Sequence, residues 1–134
     1  LMFLLETNIV SDAKKGRLPV VDWMNRQDQR DLFISVVTLG EISKGVSMKS
    51  RRDPVSGAHH ADWLRKIREW YADRILPVSD DIAIEWGRIA ALRTRGDADG
   101  LIAATALVHD LTLVTRNVGD FADTGVRLFN PWQA

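Results

Sequence analysis

The stretch from Asp97 to Phe121, DADGLIAATALVHDLTLVTRNVGDF, constrains the fold more than any other part of the chain. From Asp99 to Val108 nearly every side chain is apolar or small, so a helix here is hydrophobic on all sides and belongs inside the protein. A short turn follows, then the largely β-branched run Thr112-Leu113-Val114-Thr115 and a polar segment, Arg116 to Asp120. Buried helix, buried strand and polar loop in that order form the second half of a βαβ unit. In open α/β sheets the chemistry gathers beyond the carboxyl ends of the strands, where Thr115 to Asp120 fall. Asp99, at the start of the buried helix, and Asp120, after the strand, are placed to converge there.

The rest of the chain supplies matching pieces. Met2-Phe3-Leu4-Leu5 is an unbroken apolar run, as in a central strand covered on both faces, and it ends at Glu6-Thr7-Asn8. Asn8 is expected to cap a short helix to about Lys15, stopped by Gly16. Pro19 opens a second helix, Leu32 to Ser35 make a second strand, and Thr38 to Glu41 open a third helix. Lys49 to Gly57, basic and then rich in turn formers, is expected to be a mobile loop. Trp63, Ile67 and Trp70 form the apolar stripe of a fourth helix. Ile75 to Val78, with Pro77, suits an edge strand; Ser79 or Asp80 caps a fifth helix; Val126 to Phe129 form the last strand. The expected fold is α/β: one domain over residues 1–134, three-layer α/β/α, around a short central parallel sheet of about five strands.

Net charge is zero, 18 Lys plus Arg against 18 Asp plus Glu, so a nucleic-acid partner must be held by a local patch rather than by bulk charge. Without cysteine there is neither a disulfide framework nor thiolate chemistry. No apolar run approaches the roughly 20 residues of a membrane span, and a cytoplasmic location away from membranes is expected.

Glu6 ends the first strand, Glu41 lies on the helix after the second, and Asp99 and Asp120 flank the fourth. Acids so gathered repel one another unless a cation joins them. Oxygen donors without a cysteine or a suitable histidine pair point to Mg2+ or Mn2+. Such a pocket suits phosphodiester hydrolysis, with Arg116 near a phosphate. Each acid also has a purely structural reading. Thr38-x-x-Glu41 is a capping box, Asp97 and Asp99 suit a first helical turn, and Asp120 and Glu6 suit turns.

These same residues, Leu4-Leu5-Glu6-Thr7-Asn8, Gly40-Glu41, Asp99 to Ala106 and Leu113 to Asn117 with Asp120-Phe121, resemble the PIN-domain ribonucleases, most closely the VapC toxins with their FitB-like group. The resemblance covers essentially the whole chain. It implies a catalytic set of Glu6, Glu41, Asp99 and Asp120, with Glu6, Asp99 and Asp120 as metal ligands and Asn8, Thr115 and Asn117 as polar support. It further implies a Mg2+- or Mn2+-dependent endoribonuclease toxin, a homodimer, and a cognate VapB/FitA-like antitoxin that inserts a C-terminal segment in or near the site. DNA enters only through that antitoxin. Glu6 stands where the family has aspartate, which pushes the carboxylate out by about 1.5 Å. Reduced activity is one expectation from this. The alternative is a weakened domain serving mainly as antitoxin-binding partner in an autoregulatory DNA-bound complex.

Arg51 and Arg52, with Lys44 and Lys49, and Arg93, Arg95 and Arg116 nearer the acids, read either as a path for an RNA backbone or as solvated surface. His59 and His60 read as surface. Trp23 and Trp132 are candidates for exposed anchors in a groove that accepts an antitoxin helix.

Overall fold

The computed structural model describes residues 1–133. Its centre is a five-stranded parallel sheet in the order β3-β2-β1-β4-β5: β1 is Phe3–Leu5, β2 Leu32–Ser35, β3 Ile75–Leu76, β4 Thr112–Val114 and β5 Leu128–Phe129. The chain moves outward from β1 through β2 to the edge strand β3, then crosses back to build β4 and β5 on the other side of β1. That reversal creates a switch point between β1 and β4, where the loops leaving the two strands diverge and open a crevice.

Alternation along the strands divides the core in two. Phe3 and Leu5, with Leu32, Ile34 and Val114, pack under α1 (Thr7–Lys14), α2 (Leu18–Asn25) and α4 (Pro54–Trp70), against Ile9, Val20, Trp23, Trp63, Ile67 and Tyr71. Leu4 and Leu113 point the other way, to α5 (Asp80–Leu92) and α6 (Asp97–Val108), against Ile82, Ile89, Ile102 and Ala103. The α6 helix is the all-apolar one, and Ile102 to Ala106 are buried throughout. These are the three layers and the parallel sheet expected.

Several local expectations change. Lys49 to Gly57 is not a loop. The helix α3 (Val36–Arg52) runs to the single residue Asp53, and α4 starts immediately after it. Asp53 accepts a hydrogen bond from Val55 N at 3.1 Å and Pro54 takes the first helical position, a capped start whose residues resemble those of a turn. Asn8 does not cap α1, which begins at Thr7 with Glu6 as its N-cap; Gly16, at φ +70°, does end it. Thr38 and Glu41 are not a capping box, because Ser35 caps α3 by accepting from Val37 N at 3.0 Å. Trp70 is 59% exposed, and Tyr71 takes the core position in its place. His60, expected at the surface, is half-buried against Trp63 with ring centroids 5.0 Å apart.

Candidate active site

The β1–β4 register pairs Leu5 with Val114, so the next residues outward, Glu6 and Thr115, stand side by side at the carboxyl edge of the sheet. Glu6 N donates to Val114 O at 3.0 Å and Thr115 N to Phe129 O at 3.0 Å, extending the ladder by one residue on each strand. Both residues are buried. The Thr115 hydroxyl donates to Glu6 Oε2 at 2.7 Å, and Asn8 Nδ2 donates to Glu6 Oε1 at 3.1 Å. Asn117 N donates to Thr115 Oγ1 at 2.9 Å, which fixes the hydroxyl's direction, so Asn117 contributes through its main chain. The Glu6 carboxylate is thereby held by both oxygens at the switch point.

Two further acids face it. Burial pushes the Glu6 carboxyl above its ordinary range; the Thr115 bond opposes this, Asp99 raises it further, and Asn8 and Glu41 act in opposite directions after that. Burial also raises Asp99, with the Asp120 charge adding to the rise and Arg95 opposing it. Asp99 sits in the first turn of α6. The next residue, Gly100, lies so close to α5 that a Cβ there would be 3.0 Å from Trp86 Cδ1, which sets the start of α6 against its neighbour. Glu41, exposed in α3, accepts a 2.5 Å hydrogen bond at Oε1 from the Thr7 hydroxyl. Thr7 has one proton and spends it there, so Thr38, 2.9 Å away, donates to Thr7. Asp120 is exposed in α7 (Val118–Phe121).

The acids therefore form a chain of neighbours, Glu41 to Glu6 to Asp99 to Asp120. Among the described residues no three Asp, Glu or His side chains are gathered tightly enough to enclose an ion. The donors are all hard oxygens whose charges oppose one another, which suits Mg2+ or Mn2+. Magnesium takes only one or two protein carboxylates and fills its octahedron with water and phosphate. The donor set fits such an ion.

The basic residues divide. Arg95, its side chain 6% exposed, is committed to Asp123 at 2.6 Å and to Asp120 O at 3.0 Å. Arg93 also bonds Asp120 O, at 2.6 Å. They pin the α7 segment beside Asp99 rather than lining an open path. Arg51 and Arg52 lie at the far end of α3, roughly 15 Å along its axis from Glu41. Arg116 directly follows Thr115, and its side chain, 48% exposed, lies beside Asp12.

Thr7 and Thr38, which orient Glu41, had no signal of their own beyond threonines beside acids. Asp12 had one, as an acid on the buried side of α1 between Ile9 and Ala13. Trp23 is buried between Phe3 and Phe129, with centroids 5.0 and 5.3 Å away, and offers no partner an anchor. An open groove of about 780 Å³ lies between α1, α2 and α4, with Trp63, Trp70, Tyr71 and Met24 in its apolar lining; of its charged lining, Lys66 pairs with Asp62 at 3.2 Å and Arg74 is spent on main-chain carbonyls.

The PIN domain family matches residues 3–126. Toxin FitB of Neisseria gonorrhoeae is 33% identical across 98% of this chain and 99% of that protein. A VapC ribonuclease of Sinorhizobium fredii is 28% identical across 98% and 99%. Among solved structures, FitAB bound to an IR36 DNA fragment superposes with a TM-score of 0.80 at 31% identity, over 98% of this chain and 96% of that one. The chain belongs to the PIN-domain family, in its VapC- and FitB-like toxin branch.

Proposed function

We propose that this single domain is a divalent-metal-dependent endoribonuclease, the toxin of a toxin–antitoxin pair. The observation that carries the reading is the buried Glu6 carboxylate, held by Thr115 and Asn8 at the sheet's switch point with Asp99 and Glu41 bearing on its charge. A buried carboxylate among other acids is costly in a merely structural role, and such perturbed groups collect at working sites. Glu6, Asp99 and Asp120 would supply the ligands for Mg2+ or Mn2+, one or two of them to an ion with water and phosphate filling the rest of its shell. Such an ion, when bound, supplies charge neutralisation at a phosphate and a more acidic water. Glu41, steadied through Oε1 by Thr7 and exposed to solvent, is the carboxylate available to accept the attacking water's proton.

The relative named VapC ribonuclease supports the activity, and the FitAB–DNA complex supports a protein partner through which DNA is reached. A VapB/FitA-like antitoxin with an amphipathic segment suits the largely apolar groove between α1, α2 and α4. Failure of such proteins to bind the chain would remove this partner alone from the reading. A homodimer follows from the same family likeness. A second reading has one observation in its favour: both oxygens of the lengthened Glu6 are already satisfied by Asn8 and Thr115, as in a domain kept for antitoxin binding.

Cleavage of end-labelled RNA separates the two. Metal-dependent cutting that chelator or Asp99→Asn abolishes is the expected result. Silence relieved by Glu6→Asp would mean a disarmed nuclease, and silence in every variant would favour the binding-partner reading.

A further inference from the structure

Asp12, on α1, is 5% exposed, and its Oδ2 is buried without a hydrogen-bond partner. The cation beside it is Arg116, whose Nη1 lies 3.8 Å away. That is beyond hydrogen-bonding distance and within strong Coulomb range, because burial on the aspartate's side weakens screening. Below the guanidinium is an aromatic face: Arg116 Cζ is 5.2 Å from the Trp132 ring centroid, inside the range for cation–π attraction. Asn130 ties this wall to the arginine's own main chain, with Nδ2 donating to Arg116 O at 3.3 Å and Oδ1 accepting from Trp132 N at 2.9 Å.

The arginine so enclosed is still 48% exposed, and among the described residues nothing accepts a hydrogen bond from its guanidinium. Arg93 and Arg95, by contrast, are spent on Asp120 and Asp123. Arg116 combines a fixed position with uncommitted donors, which is the combination that recognises a phosphate. Its place is also specific. Arg116 directly follows Thr115, whose hydroxyl bonds Glu6, while its side chain leans to Asp12, six residues beyond Glu6 and roughly 9 Å along the helix, so the guanidinium lies outside the acidic centre.

We infer that Asp12 and Trp132 are positioning residues that clamp Arg116 as the contact for a backbone phosphate flanking the one that is cut. This rests on the ribonuclease reading for what is bound. The role of Asp12 is opposite in sign to its charge. By electrostatics alone, Asp12→Asn removes a negative group and tightens RNA binding; by positioning, it releases Arg116 and weakens binding.

The test is equilibrium affinity of the whole protein for labelled RNA in chelator, beside KM and kcat with Mn2+. Arg116→Ala and Asp12→Asn are each expected to weaken affinity and raise KM by about tenfold, the scale of one charge-assisted hydrogen bond, with kcat unchanged. The double variant should lose no more than either single one. Tighter binding by Asp12→Asn, or an equal loss from it when Arg116 is already alanine, overturns the clamp, the second because the effect would then be structural. Binding that follows this pattern without any cleavage sinks the nuclease reading and leaves the clamp standing. Normal cleavage indifferent to both variants does the reverse.

Discussion

The Glu6 carboxyl is buried beside Asp99 and Glu41, which with burial itself disfavour its charged form, and only the Thr115 hydroxyl and the Asn8 amide support that form. A carboxyl raised in the folded protein favours folding most when protonated. Its stabilising share is complete below the ordinary value of 4.5 and is lost as pH rises through the folded value; Asp99 shifts in the same sense from 3.8. In chelator, Glu6→Gln is therefore expected to melt higher than the parent at pH 7 and to lose that advantage below pH ~4. A pH series of melting curves checks it, and equal melting temperatures at pH 7 would mean that the two hydrogen bonds fully offset the burial. Glu6 and Thr115 were legible in the sequence because a strand's end is marked by its apolar run stopping. Asp99 was legible as the acid opening a helix with no other polar face. Arg95 was not, since its partner Asp123 lies far along the chain and nothing local marks the pair. Asp12 was missed although its place on the buried stripe of α1 signalled it.

The element most misread was the α3–α4 hairpin. Its basic and turn-forming residues resemble a loop, yet Asp53 caps one helix while ending the other, and the two helices meet almost without spacing. They approach tightly at Gly57, where a Cβ would fall 2.2 Å from Ser50 Oγ, 2.7 Å from Ser50 Cα and 2.8 Å from Ser50 N. Backbone atoms cannot turn aside as a side chain can, so the helices would have to separate. Gly57→Ala sets an overpacking cost of about 1–3 kcal/mol against a helix-propensity gain of about 1 kcal/mol. Net destabilisation is expected, read as a lower urea midpoint. Asp53→Ala removes only the cap, for about 1 kcal/mol. A Gly57→Ala protein as stable as the parent would show that this crossing can open. Because α3 carries Thr38 and Glu41, the Gly57 variant is also expected to disturb the carboxylate that Thr7 steadies, more than the Asp53 one does.

Across the whole molecule, periodicity and order revealed the layers, while two features needed three dimensions. The strand order could not be read from short apolar runs that pair equally well with one another, and Trp23 looked like an exposed anchor until Phe3 and Phe129 closed on it. The sheet explains why an ion should act on the entire fold. Glu6 leaves β1, Thr115 leaves β4, Glu41 belongs to α3 and Asp99 to α6, so the acidic centre joins both halves of the sheet and helices of both layers. Their mutual repulsion is stored across the switch point when no cation is present. An ion that binds only the folded chain stabilises it by about 2.7 kcal/mol at a concentration 100 times its Kd. Mn2+ or Mg2+ at that saturation and pH 7 is expected to raise the melting temperature by roughly 10 °C for a domain of this size. The rise should shrink in Asp99→Asn. Glu6→Gln should start higher in chelator and respond little to metal, so that the two proteins converge as Mn2+ is added. Calcium is the control for divalent charge alone, because its larger ion and its six to eight oxygen ligands do not match a compact octahedral site. A rise with Ca2+ equal to that with Mn2+, undiminished in Asp99→Asn, would assign the effect to surface charge and not to these carboxylates.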